Sequence, residues 1–316
     1  MTAPVPELMN TREVARYVRL KERKIYDLVS RGLIPCTRVG GKWLFPKGRI
    51  DAWLAGQAEA PSRPAPPPVI AGSHDPFLEW CADESGCGLA LLGGGSLDGL
   101  DRLARGEAVA AGVHVLDPAT GDYNTAAIED RLGGREVVAI EWAEREQGLV
   151  LPAGNPLAVA GLRDLAARGA RLALRQPGSG ARILLDHLLR LEGLAPDAFE
   201  GAGRTVRTET EVGFAVLEGR ADAGLAIRAV ASRLRLDFLP LHRERFDLVM
   251  RRRDYFEPAI QALLGFARTA AAAQRAAELD GYDARRLGAV RYNAPDRDAA
   301  PPPQNVLAPL TGRRTA

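Results

Sequence analysis

The sequence predicts an α/β protein in two unequal parts, a small basic helical unit over residues 7–55 and a larger α/β domain over residues 69–293. Three observations predict it. Residues 11–54 read as helix, turn, helix, a glycine-centred hairpin and a closing helix. The next stretch, "GQAEAPSRPAPPP" over 56–68, is alanine- and proline-rich, cannot supply a core and suits an extended spacer. From Val69 to Asn293, short apolar runs such as "AVAAGVHVL", "VVAIEW" and "ADAGLAI" alternate with helix-periodic stretches such as "ARILLDHLLRLEG". That rhythm implies β-α-β units and a mostly parallel sheet. The tail, 294–316, has little to bury and is expected to be disordered.

In the first unit, Asn10 or Thr11 caps a helix running to about Val18, with Val14, Ala15 and Val18 inward. A break at Arg19-Leu20 leads to a second helix, Lys21 to Arg31, which turns Ile25, Leu28 and Val29 inward. Lys21, Arg23, Lys24 and Tyr26 then face outward, and Gly32 supplies the stop. Two strand-like runs follow around Gly40-Gly41, a pair that accepts the positive φ values of a two-residue turn. Arg38 and Lys42 flank that turn, and a last helix offers Ile50, Trp53 and Leu54 to the core. Between Arg12 and Arg49 basic residues outnumber the acids Glu13, Glu22 and Asp27. Such a local excess inside a chain of net charge +2 is the footprint of phosphate binding.

Over Leu8 to Leu54 the order of elements resembles the winged helix-turn-helix of the excisionase and MerR-like class. The resemblance implies a double-stranded DNA partner. Lys21, Arg23, Lys24 and Tyr26 would enter the major groove, and Arg38 and Lys42 would meet the backbone or minor groove.

The bulk composition narrows the larger unit. A chain of 316 residues, 46% hydrophobic, is long enough for substantial cores. It shows no signal-peptide pattern and no apolar run of about 18 residues, so a cytoplasmic protein without membrane contact is expected. Cys36, Cys81 and Cys87 are odd in number and lack CxxC spacing, so neither a disulfide framework nor a metal site is suggested.

Catalysis finds little support. Ser179 in "QPGSGARILLD" is flanked by Pro177 and Ala181 where a nucleophile elbow needs glycines, and His74, His114, His187 and His242 are scattered. The glycine-rich stretches lack the Gly-Lys-Ser/Thr ending of a nucleotide loop. Three serines share a position instead: Ser73, Ser96 and Ser179 each follow a strand-like run and precede a helix. There hydroxyls and first-turn N–H groups point the same way and favour an anion, though each serine alone reads as a helix cap.

The stretches "AGSHDPFLEW", "GGGSLDGLDRLARGEAVAAGVHVLDPATGDYN", "RQPGSGARILLDHLL" and "VGFAVLEGRADAGLAIRAVA" resemble a type II periplasmic-binding-protein domain of the molybdate-binding branch, found fused to helix-turn-helix units in bacterial regulators. The resemblance implies two α/β lobes joined by strands crossing near 141–151 and 239–249, with a small anionic ligand such as molybdate or tungstate between them. Ser73 and Ser96 would serve from the first lobe, and Ser179 with the N–H groups of Gly180 and Ala181 from the second. Arg182 either adds charge or lies on the helix surface, and Tyr123 either closes over the ligand or packs in the core; Asp222 is expected to be structural. The combined expectation is a non-enzymatic, ligand-responsive, homodimeric transcription regulator with no cofactor beyond that oxyanion. An enzyme or molybdenum-cofactor-handling protein using the same cleft, or a DNA-bound adaptor without a small ligand, are the alternatives.

Overall fold

The computed structural model describes residues 6–57, 65–195, 199–201 and 205–295. It divides into two compact units between Ala65 and Pro66. Most of the spacer at 56–68 and of the tail at 294–316 lies outside the described residues.

The first unit orders β1 (Leu8–Asn10), α1 (Thr11–Tyr17), α2 (Glu22–Ser30), β2 (Thr37–Val39), β3 (Lys42–Pro46) and α3 (Lys47–Gln57). Asn10 caps α1 by accepting from Arg12 and Glu13 N–H, and the Glu13 carboxylate takes the Asn10 N–H in return at 2.8 Å, a complete capping box. Gly40 and Gly41 adopt φ of 55° and 80°, the double positive value of the expected tight hairpin. The three-residue β1 pairs with β3, which the sequence reading lacked. Met9, Val14, Ile25, Ile34, Phe45 and Ile50 are buried and form the core. Leu54, expected inward, is exposed, whereas Trp53 packs on the core and donates its indole N–H to the Leu33 carbonyl at 2.9 Å.

The second unit begins with β4 (Val69–Gly72), α4 (Pro76–Glu84), β5 (Ala90–Gly93), α5 (Ser96–Arg105), β6 (Ala110–Val113) and α6 (Thr125–Leu132). A 15-residue strand, β7 (Val137–Leu151), leads to α7 (Leu162–Ala167), β8 (Arg171–Ala173), α8 (Gly180–Leu191), β9 (Glu200–Gly201), α9 (Glu209–Leu217), β10 (Ala223–Ile227) and α10 (Arg228–Leu234). A second 15-residue strand, β11 (Asp237–Arg251), returns, and α11 (Pro258–Ala267), α12 (Ala270–Ala277), β12 (Tyr282–Asp283) and β13 (Val290–Asn293) close the fold.

The sheet is mixed, in the order β5-β4-β6-β11-β7-β10-β8-β9. Strands within each lobe run parallel, but β7 and β11 pair antiparallel along their whole length. They cross from lobe to lobe where expected, because β11 joins β6 at one end and β7 joins β10 at the other. The period of two along β7 sends Val138, Ile140 and Trp142 against α4 and α11, and Val137 and Ala139 against α5 and α6. In the second lobe Leu149 and Leu151 meet α8, while Val150 meets α9 and α10.

Close approach requires glycine where α5 crosses β4. A Cβ on Gly72, whose φ is +108°, would strike the Gly112 carbonyl oxygen, and one on Gly99 would reach the Gly72 backbone. We therefore expect Gly72→Ala to destabilise this unit by at least about 2 kcal/mol, read from urea unfolding, because strain and collision add.

Candidate functional site

The lobes meet along a seam at the carboxyl ends of their parallel strands. After β4, the Ser73 N–H bonds the Gly112 carbonyl at 2.8 Å and its hydroxyl lies 2.9 Å from that of Ser96. Ser96 opens α5, which has no side-chain cap, and its hydroxyl accepts from the His114 N–H at 3.2 Å. Across the seam, Gly178 turns with φ +79° into Ser179, the N-cap of α8. The Ser179 hydroxyl accepts from the Arg182 N–H at 3.3 Å and donates to the Gln176 carbonyl at 2.9 Å.

The two sides are in contact. Leu97 N–H donates to the Gly178 carbonyl at 3.2 Å, and the Gln176 amide donates to the Gly94 carbonyl at 3.3 Å. A Cβ on Gly95 would come 3.3 Å from the Ser179 Cα, and one on Gly180 would strike the His114 carbonyl. The three serines thus line one seam, with Ser179 also acting as the helix cap. The Gly180 and Ala181 N–H groups belong to the first turn of α8, where helix geometry provides no intrahelical acceptor. The Ala181 side chain is core, and the Arg182 guanidinium pairs with Asp186 on its own helix at 2.8 Å.

Beneath the serines lies a buried ionic cluster that sequence reading missed. Arg145 on β7 is fully buried, bonds Asp75 at 2.9 Å and pairs with Glu244 on β11. Asp75 also caps α4 and accepts from the Trp142 indole at 3.1 Å and the Tyr282 hydroxyl at 2.6 Å. Glu244 takes His114 Nδ1 at 2.6 Å and the Gln147 amide at 3.1 Å. Glu209, the first residue of α9, accepts from Gln147 at 3.0 Å and from the Ile227 N–H at 3.0 Å. Burial pushes the Glu244 carboxyl up, but the Arg145 guanidinium and His114 outweigh it and bring it down to about 2. The available signal was the set of charged and amide residues inside an apolar strand, "VVAIEWAEREQGLVL", where Arg145 and Gln147 share a face.

Tyr123 belongs to the second lobe's core, yet its hydroxyl is buried with no hydrogen-bond partner. Burial, then the nearby Glu244 charge, raises its pKa. Its loop is pinned to β11: Asn124 donates to Asp247 at 2.7 Å, and Arg245 donates to the Tyr123 carbonyl. A cavity of about 530 Å³ is lined among others by Trp80, Ala229 and by Pro76 and Thr210, which follow Asp75 and Glu209 in the chain. Asp222 lies elsewhere, bonded to Arg171.

A model described as a PBP superfamily domain matches residues 79–268, well over half of the chain. The chain belongs to the PBP superfamily. A helix-turn-helix domain model matches residues 8–58. The uncharacterized protein YvgK of Bacillus subtilis (strain 168) is 27% identical over 303 residues, 88% of this chain and 96% of the relative. An uncharacterized protein in the ferredoxin 2Fe-2S gene 5′ region of Clostridium pasteurianum is 28% identical over 109 residues, 34% of this chain and 96% of the relative. Among solved structures, a putative phosphate ABC transporter substrate-binding protein with bound phosphate from Clostridium perfringens superposes with a TM-score of 0.51 at 13% identity, covering 70% of this chain and 98% of that one. At that identity the likeness speaks for the fold.

On the helix-turn-helix domain, all six residues singled out for DNA are exposed. Lys21 is the N-cap of α2, Arg23, Lys24 and Tyr26 project from its first two turns, and Lys42 follows the hairpin turn. Arg38 lies over the Trp43 ring at 5.3 Å, which fixes its cation on the hairpin surface. Lys24 carries a partner, Asp27, at 2.9 Å.

The PBP domain's cluster generates a stability expectation. Arg145→Met leaves Asp75 and Glu244 buried without their common cation, and should cost about 3–5 kcal/mol in urea unfolding. An unchanged midpoint would mean that the guanidinium is not what holds these carboxylates.

Proposed function

We propose that this protein is a ligand-responsive DNA-binding regulator acting in the cytoplasm, and that its PBP domain binds a small tetrahedral oxyanion of the molybdate or tungstate kind in the seam. The observation that carries the ligand class is the cluster of hydroxyls and first-turn N–H groups where the starts of α5 and α8 converge. Helix α5 lacks a side-chain cap and meets the hydroxyls of Ser73 and Ser96 on one side and the start of α8 with Ser179 on the other. At the neighbouring helix ends the protein supplies its own carboxylates, Asp75 at α4 and Glu209 at α10. An anion therefore fits at α8, whose first turn carries no acid, and at the adjoining start of α5, whose one first-turn acid, Asp98, is paired with Arg102 at 2.7 Å.

Binding rather than catalysis is supported by the use of the hydroxyls. Among the described residues none of the three serine hydroxyls bonds a histidine ring: Ser179 serves Gln176 and Arg182, while Ser73 and Ser96 serve each other and a backbone N–H. The bound anion would replace the direct contacts Leu97–Gly178 and Gln176–Gly94 by stronger charge-assisted ones to both lobes. It would thereby favour the closed form and shift DNA affinity by linkage. Homodimers are part of the proposal, because one helix-turn-helix unit covers few base pairs and paired half-sites multiply affinity.

Calorimetry with molybdate, tungstate and sulfate tests the ligand. One oxyanion per chain is expected, and Ser96→Ala should weaken it about tenfold, the loss of one hydrogen bond to a charged group. Failure of all three anions to bind ends this reading. The DNA partner is tested separately with a nonspecific duplex and fluorescence anisotropy. Arg23→Ala with Lys24→Ala should weaken binding and flatten the plot of log K against log salt by about 1.8, roughly 0.9 for each phosphate contact removed. Equal slopes for variant and parent would remove α2 from the interface.

A further inference from the structure

We infer that Arg175 reads the charge of the ligand in the seam and makes the site prefer a dianion to a monoanion of the same shape. The inference deepens the anion reading above and rests on it; what it adds is a cation. Two arginines among the described residues are buried, Arg145 and Arg175, at 0% and 4% exposure. They differ in what faces them. Arg145 meets two carboxylates, Asp75 and Glu244. Arg175 makes no ion pair among the described residues: its Nε donates to the Gln176 side-chain oxygen at 3.3 Å and its Nη2 to the Arg207 carbonyl at 2.8 Å. Both acceptors are neutral, and three of the five guanidinium N–H groups are left without a hydrogen bond among the described residues.

The acids that act on it most, Glu209 and Glu211, are committed to the backbone N–H groups of Ile227 and Arg207. Burial pulls the Arg175 pKa below the ordinary arginine value, and these acids do not restore it. A buried cation met by neutral groups alone is costly, and an anion that joins it recovers that cost.

The fold brings this cation to the seam. Arg175 follows β8 and bridges to Val206, so it stands at the carboxyl end of a second-lobe strand, just before the start of α8. One side chain separates it from the first lobe. The Gln176 amide takes the Arg175 Nε–H on its oxygen and donates through its nitrogen to the Gly94 carbonyl, at 3.3 Å each, beside the start of α5. A Cβ on Gly95 would come 3.2 Å from that amide nitrogen and 3.3 Å from the Ser179 Cα. An anion that displaces Gln176 from Gly94 meets Arg175 next, and its oxygen takes over from the amide oxygen as a charged acceptor. The Coulomb energy of a fixed cation scales with the charge of its partner. The factor that Arg175 contributes to the affinity of a dianion is therefore about the square of the factor it contributes to a monoanion.

The test is calorimetry on the full chain with tungstate and perrhenate, tetrahedral oxyanions of closely similar size, one doubly and one singly charged. Tungstate should bind the more tightly. Arg175→Gln, which keeps an amide donor for the Arg207 carbonyl, should lower the tungstate affinity at least about 30-fold and the perrhenate affinity only about fivefold, the square root of that loss. Arg175→Lys keeps the charge but not the fork, so it should weaken both anions and retain most of the preference. The far-ultraviolet circular dichroism of both variants should match the parent. A purely structural role, holding the Arg207 carbonyl before α9, would weaken both anions by one factor. An equal loss in Arg175→Gln therefore overturns the inference, as does tungstate binding that the substitution leaves unaltered. A parent chain that binds the two anions equally overturns it too and leaves the seam standing as an anion site. A parent chain that binds neither removes the anion reading itself, and this inference with it.

Discussion

A guanidinium placed where no water reaches it constrains the whole PBP domain. Arg145 lies on β7 at the point where the chain passes from one lobe to the other, fully buried over the ring of Phe246 at 4.5 Å. Removing such a charge from water costs several kcal/mol, recovered only if the surrounding acceptors are well placed. Asp75 from the first lobe and Glu244 from β11 provide them, and each is in turn held by other donors. Every partner must therefore arrive together. The demand aligns α4, the end of β6, both crossing strands and the strand carrying Tyr282, and it explains why polar side chains tolerate positions that would otherwise be core.

The seam above obeys a different constraint, that of close backbone approach. Gly95 and Gly180 stand where the lobes touch, and a side chain at either would meet Ser179 or His114. Small residues there let the starts of α5 and α8 converge until a backbone N–H of one lobe reaches a carbonyl of the other. A bulge in the β7–β11 pairing lies next to this region: Phe246 and Asp247 are consecutive on β11 but pair with Ala143 and Glu141, so the extra residue is Trp142 on β7, whose indole reaches Asp75. Bulges re-aim side chains in this way. The charged cluster ties the crossing strands together and the glycines let the lobes approach, so the two contacts rest on different residue types.

How much of this was legible depends on the distance over which each interaction acts. The helix-turn-helix domain was readable because its signals are local: the Asn10–Glu13 capping box spans three residues and the Gly40-Gly41 turn two. The three residues of β1 carry no periodicity and were missed. The serines were placed at strand ends by the alternation of runs, and their shared seam follows from the fold the resemblance implied. The charged cluster was invisible for a physical reason: Arg145 meets Asp75 across 70 positions and Glu244 across 99, while His114 meets Glu244 across 130. Pattern reading assigns an acid in a strand to solvent, and only tertiary pairing reverses that. The same limit hid the antiparallel β7–β11 pair, since alternating runs reveal strands but not their direction.

These two layers imply a division of labour in any response to a ligand. The direct seam contacts between backbone and amide groups are neutral hydrogen bonds, each worth about 1 kcal/mol net. They hold the lobes only lightly compared with the continuous pairing at the hinge. Moving a two-state equilibrium from 1:99 to 99:1 takes about 5.5 kcal/mol of differential affinity. Hydrogen bonds to a charged group contribute about 1.5–3 kcal/mol each, so three or four of them, made only when both lobes are engaged, are enough. The hydroxyls of Ser73, Ser96 and Ser179 with the first-turn N–H groups of α5 and α8 offer that many donors from both sides. The proposed anion would thus have sufficient leverage at the seam, whereas at the Arg145 cluster the guanidinium already meets Asp75 and Glu244 and an anion would find carboxylates instead.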